Sequence, residues 1–158
     1  MSGGGIEIGS GGIDELPAVE RVMGAAFDPR YGEAWSKAQC LATFAMPGYA
    51  LRVARVRGRI AGFAIVRWVA DESELLLLAV EPQARGQGIG TALLTDWLNL
   101  TGLRGVRRHF LEMRTDNSAM SLYNRFGFTI ISVRNAYYHG KDGQFRDAVT
   151  MHRVLNDN

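Results

Sequence analysis

Apolar residues recur at helical spacing from Val19 through Val22 and Met23 to Phe27, so IDELPAVERVMGAAF reads as a first helix with Pro17 in its opening turn. Ahead of it, IEIGSGG suits a short strand and turn. DPRYGEAW then makes a loop holding a proline, a glycine and two large aromatics. Ser36 is placed to cap a second helix, SKAQCLATFA, that stops near Pro47 and Gly48. Beyond it the period drops to two: YALRVARVRGRIAGFAIVRWVA reads as two strands turning at Arg57-Gly58-Arg59. ESELLLLAVEP is almost continuously apolar, which predicts a central strand covered on both faces and stopped by its proline. QARGQGIG leads from it into TALLTDWLNLTGLRG, a helix that packs with Ala92, Leu93, Trp97, Leu98 and Leu100 and ends near Gly102. VRRHFLEMRT follows as a strand and DNSAMSLYNRFG as a short helix ending at Gly127. FTIISVRNAYYH, the turn GKDG and QFRDAVTMHRVL then form a last hairpin.

No repeat or long linker divides this pattern, and strands mix with helices throughout, so residues 1–158 are expected to form a single α/β domain with a flexible start over about residues 1–5. A chain of this length hides roughly 68–70% of its unfolded surface, so it needs neither disulfides nor a structural metal. Cys40 is the one cysteine and sits in an apolar helical stretch. His109, His139 and His152 are scattered without metal-ligand spacing. Eighteen Lys and Arg against sixteen Asp and Glu leave a net charge of +2, which does not call for a nucleic acid. The arginines are uneven, with Arg52, Arg55, Arg57 and Arg59 in one segment and Arg104, Arg107 and Arg108 in another. Such groups serve either as solvated strand edges or as a local positive surface toward a phosphate or an RNA-rich partner. The apolar runs are too short to span a bilayer and MSGGG has no signal-peptide character, so no membrane association and a cytoplasmic location are expected.

The strongest local chemistry is Arg85, Gly86, Gln87, Gly88, Ile89 and Gly90, directly after the central strand. Alternate glycines clear side chains away, so successive backbone N–H groups can approach a phosphate at the positive end of the next helix. The run lacks the Gly-Lys-Ser/Thr ending of a Walker A loop, and by itself it also suits a plain tight turn.

From LLLLAVEPQARGQGIGTALL through LEMRTDNSAMSLYNRFGF, the chain resembles the Gcn5-related N-acetyltransferase superfamily. The resemblance implies a mixed, largely antiparallel sheet with splayed central strands, flanked by helices. It also implies acetyl-coenzyme A as cosubstrate, with no metal. The pyrophosphate would lie on the loop of Arg85, Gly88 and Gly90, and the pantetheine arm along Leu78, Ala79 and Val80, with Asn117 and Tyr123 near its sulfur. A narrower similarity, from about Leu16 to Leu155, is to the bacterial ribosomal-protein-alanine N-acetyltransferases. It is carried by Trp35-Ser36, Leu111-Glu112-Met113-Arg114, Arg134-Asn135-Ala136-Tyr137-Tyr138 and Asp147-Ala148. What this implies is transfer of acetyl to a protein N-terminal amine, that of a ribosomal protein beginning with alanine, by direct attack on the thioester.

By that resemblance Glu112 is the general base, and Tyr123 protonates or hydrogen-bonds the departing thiolate. An α-amine with a pKa of about 7.7–8.0 needs only modest help to lose its proton, and a phenol stays protonated at neutral pH. Glu112 could instead serve as a strand-end partner for Arg114 or Arg134, and Tyr123 as half-buried core. Tyr31 and Trp35 on one side, and Tyr137 and Tyr138 with Arg134 on the other, would border the acceptor slot; these aromatics are equally suited to packing. Two departures stand out. Asn117 lies six residues before Tyr123 where the family spacing is seven, which leaves Asp116 as the alternative, and Arg146 stands where a glutamate commonly precedes Asp-Ala. A small-molecule amine acetyltransferase, with an open acidic pocket, and a noncatalytic acetyl-coenzyme A sensor are the competing functions. Oligomeric state is not readable from the chain.

Overall fold

The structure, a computed structural model, describes residues 5–31, 33–140 and 142–155, with Tyr31 and Tyr138 as backbone only. The first four residues of the expected flexible start lie outside the described residues. In chain order the elements are β1 (Ile6–Gly11), α1 (Leu16–Ala26), α2 (Lys37–Phe44), β2 (Tyr49–Val56), β3 (Arg59–Val69) and β4 (Glu72–Val80). There follow α3 (Ile89–Gly102), β5 (Arg108–Arg114), α4 (Met120–Arg125), β6 (Thr129–His139) and β7 (Phe145–Val154). Seven strands form one sheet in the order β1-β2-β3-β4-β5-β7-β6. Every neighbouring pair is antiparallel except β4 and β5.

Local chemistry explains most boundaries. A short 3-10 turn, Ile13–Glu15, precedes α1, and Pro17 sits in the first turn where its missing N–H costs nothing. Ser36 caps α2 reciprocally: its hydroxyl accepts from the Gln39 N–H at 3.1 Å while the Gln39 side chain accepts from the Ser36 N–H at 2.7 Å. The hairpin at Arg57-Gly58 turns through positive φ at both residues. Helix α3 begins at Ile89, two residues before the pattern of apolar positions places it, because left-handed Gly88 already acts as its N-cap.

The sheet is covered on both faces, as the unbroken apolar runs predict. Val19, Val22, Cys40, Phe63, Ile65 and Leu77 form one core under α1 and α2. Val66, Leu75, Leu93, Trp97, Leu111 and Phe128 form the other under α3 and α4. In β4 the face changes at Leu76, where the register against β3 slips by one: Val66 pairs with Leu75 but Ile65 with Leu77. Most of the clustered arginines are tied into this frame. Arg52 makes a two-pronged pair with Asp96 of α3 at 2.7 and 2.8 Å, and Arg59 joins Arg21 on the buried carboxylate of Glu81. Arg104 stacks over Trp68, and Arg108 pairs with Asp71 and Glu72. Arg52, Arg59, Arg104 and Arg108 thus serve as ties within the fold.

Candidate active site

The parallel pairing of β4 with β5 runs only from Glu72 opposite Arg108 to Leu75 opposite Leu111. Past the bulge at Leu76 the two strands part, and a cleft opens between Leu76–Val80 and Glu112–Arg114. Among the described residues, backbone groups on the β5-facing side of Leu76–Val80 have no strand partner there, which makes them available to a ligand. Two cavities fill the opening, one of about 600 Å³ toward α3 and one of about 610 Å³ toward β6.

The first cavity is floored by Leu78, Ala79 and Val80 and closed by Arg85, Gly86, Gly88, Ile89 and Gly90. Gly86 and Gly88 have φ of 79° and 87°, a conformation that favours glycine, and no neighbouring atom lies in front of either. This leaves the first N–H groups of α3 facing the cavity, a natural seat for an anionic phosphate. Gly90 has a different use, since an added Cβ would lie 3.1 Å from Leu122 of α4. Gln87, expected with the loop, lines neither cavity.

The second cavity is bordered by Trp35, Leu111, Glu112, Met113, Tyr123 and Tyr137 among others. Glu112 is held from β6 by Arg134 at 3.1 Å and from β7 by the Thr150 hydroxyl at 3.4 Å. Of the two candidate partners, Arg134 is the one Glu112 pairs with, and its guanidinium also stacks over Tyr137 at 4.3 Å. Arg134 itself lines neither cavity. The side chains of Tyr31 and Tyr138 lie outside the described residues.

Among the described residues, five line both cavities and so mark where they join: Phe27, Glu33, Leu78, Asn117 and Tyr123. Tyr123 is buried, its ring edge-on to Phe128, which in turn stacks on Trp97, so an aromatic row fixes its direction. Asn117 turns its side-chain oxygen onto the Ala119 N–H at 2.8 Å, just before α4. Asp116, the alternative in the register, is drawn instead into a 2.7 Å pair with Arg114. Glu33 stands 3.2 Å from Arg114, and burial pushes its carboxyl above the usual range against the opposing pull of that guanidinium. Neither Glu33 nor Phe27 is signalled by any motif. Glu33 sits in an aperiodic loop, and the one hint is a carboxylate lodged between Tyr31 and Trp35.

Arg30, in the loop after α1, also reaches the last hairpin. Buried Gly140 packs against the carbonyl of Arg30, which accepts from Arg146 at 3.4 Å, and Arg146 is braced by Asp142 at 2.9 Å. The loop after α1 and the last hairpin thus meet beside the cleft.

Residues 47–130 match the family described as acetyltransferase (GNAT) domain. Over 95 residues the chain is 40% identical to the ribosomal protein bS18 alanine N-acetyltransferase of Escherichia coli. That match covers 60% of this chain and 64%, just under two thirds, of the relative's length. The solved structure of the Escherichia coli enzyme superimposes with a TM-score of 0.84 over 98% of both chains at 31% identity. A PaiA N-acetyltransferase from Thermoplasma acidophilum, solved with coenzyme A, shares the fold at 18% identity, with a TM-score of 0.75 over 96% of this chain and 99% of that one.

Proposed function

The chain belongs to the acetyltransferase (GNAT) domain family, and from that premise we propose that it acetylates the N-terminal amine of a protein, that of a ribosomal protein beginning with alanine, using acetyl-coenzyme A. The observation that carries this reading is the meeting of two cavities at Tyr123, with a glycine-lined anion seat at the outer end of one and Glu112 in the wall of the other.

The residues fit the cosubstrate. Gly86, Gly88 and the start of α3 offer N–H groups and an open approach to a pyrophosphate, with Arg85 beside them. The β5-facing backbone of Leu76–Val80 offers the alternating donors and acceptors that suit a pantetheine arm, and the Asn117 amide adds a neutral partner at its far end. When bound, acetyl-coenzyme A supplies the activated acetyl group as a thioester.

Glu112 then takes the proton of the incoming amine, directly or through one water, while Arg134 and Thr150 hold its carboxylate in line. Tyr123, fixed by Phe128, donates its phenolic hydrogen to the departing sulfur. No enzyme nucleophile is required. Cys40 lines neither cavity, and burial pushes its thiol up, away from the reactive thiolate. In this reading Trp35 and Tyr137 border the acceptor slot, residues 1–158 act as one unit, and the site of action is the cytoplasm. No helix among the described residues is long and apolar enough to cross a membrane.

Glu33, Glu74 and Glu112 all line the acceptor cavity, which gives a small-amine acetyltransferase some support. Each carries an arginine partner, however, so the cavity is not the strongly acidic pocket that reading expects. The test is to supply acetyl-coenzyme A with peptides of differing first residue, a lysine peptide blocked at its N-terminus and a set of small amines. Mass spectrometry is expected to place acetyl on the α-amine of the Ala peptide, and exclusive lysine or small-amine products would overturn the assignment. Glu112→Gln and Tyr123→Phe are each expected to lower kcat by about 10²-fold or more with acetyl-coenzyme A affinity nearly unchanged. Equal losses in binding would remove them from the chemistry.

A further inference from the structure

Of the five described residues shared by the two cavities, Glu33 alone carries a formal charge. Its neighbours at the junction include Phe27 and Leu78, which strip water from whatever passes between them. An α-ammonium entering there loses hydration, a cost that only a facing carboxylate offsets well. Glu112, the other carboxylate in the argument, lines the acceptor cavity but not the junction, and it is held by Arg134 and Thr150.

The surroundings of Glu33 are built for such a contact. Its segment is pinned on both sides, by the Trp35 N–H on the Met23 sulfur at 3.1 Å and by the Arg30 carbonyl against Gly140 and Arg146. The Glu33 and Arg114 side chains are only 11% and 12% exposed, so water does little to satisfy either. Arg114 also holds Asp116, and at the shorter distance of 2.7 Å. When Glu33 turns to a cation, Arg114 keeps a carboxylate. Burial outweighs Arg114 in its effect on the Glu33 carboxyl, the mark of a carboxylate that its present partner does not fully satisfy.

Resting on the reading of this chain as an N-terminal amine acetyltransferase, we propose that Glu33 is a specificity-determining contact that recognises the acceptor's α-ammonium at the junction, exchanging Arg114 for it. Glu33 selects the charged terminus and Glu112 takes its proton, so the two carboxylates divide recognition from chemistry.

The test uses the full chain saturated with coenzyme A, which cannot react, and two peptides identical except that one begins with alanine and the other with a propanoyl group lacking the amine. Wild type is expected to bind the amine peptide about tenfold more tightly, the scale of one charge-assisted hydrogen bond. Glu33→Gln is expected to bind both equally and to raise KM for the Ala peptide with kcat little changed, while Glu112→Gln keeps the preference. Retention of the preference in Glu33→Gln overturns the inference. So does a wild type that acetylates the Ala peptide yet shows no preference, which leaves the function standing. A wild type that neither binds nor acetylates either peptide overturns both. Should Glu33→Gln fail to fold, Glu33→Asp carries the test: it keeps the charge but shortens the reach, and is expected to lose a few-fold of the preference. An unchanged preference in Glu33→Asp would then count against the proposal.

Discussion

The imidazole of His109 stands edge-on to Trp97, ring centres 5.0 Å apart, with Nε2 2.8 Å from the Thr101 hydroxyl. That hydroxyl gives its hydrogen to the Trp97 carbonyl, so Nε2 must be the protonated nitrogen, and Nδ1 is left buried without a partner. Protonating Nδ1 would put a charge where no water reaches. Burial therefore lowers the pKa to about 4, with a smaller contribution from Arg153. Because the folded value lies below the unfolded one, this stability is fully present above about pH 6.5 and is lost as pH falls from there to about 4, by roughly 3 kcal/mol in all. Denaturant titrations at pH 7.5 and 4.5 are expected to differ by about 2 kcal/mol less in His109→Leu than in wild type. An equal difference in the two proteins would remove His109 as the source. Nothing in the sequence marks this histidine, since a scattered His takes its meaning from the tryptophan and threonine that the fold brings to it.

Helix α3 owes its position to a single bare carbon in β3. A Cβ on Gly62 would lie 2.9 Å from the Ala79 carbonyl and 2.9 Å from Ile89, the first residue of α3. The side chain of Ile89 can shift, but the carbonyl belongs to β4 and cannot move without disturbing the ladder or the cleft. Gly62→Ala is expected to lower stability by about 1–3 kcal/mol and to weaken coenzyme A binding, read by thermal melting and calorimetry. Unchanged affinity would mean that the glycine loop keeps its place independently of β3. The bulge at Leu76 works at the same scale. By switching the face of β4 it lets Leu75 pack under α3 and Leu77 under α1, and beyond it the strand no longer pairs with β5. The apolar run LLLLAV predicts a central strand covered on both faces, but a uniform run of leucines holds no sign of where the register slips.

Across the whole molecule, Arg30, in the loop after α1, and the β6–β7 hairpin come together beside the cleft, touching at Gly140 and Arg30. A methyl group on Gly140 would fall on that carbonyl and push the two apart. Gly140→Ala is expected to raise KM for the acceptor peptide several-fold at little cost in melting temperature, and unchanged kinetics would show that the contact does not shape the slot. By its sequence alone this chain determined its elements, its α/β class and the glycine run before α3, because hydrophobic period, caps and turn residues act over neighbours in the chain. Tertiary structure decided which face β4 presents, which arginine holds Glu112, that Asn117 rather than Asp116 caps the turn before α4, and that Glu33 meets Arg114 at the junction of the cavities. Those outcomes depend on distances between residues remote in sequence, and such distances exist only once the sheet has closed and its strands have parted.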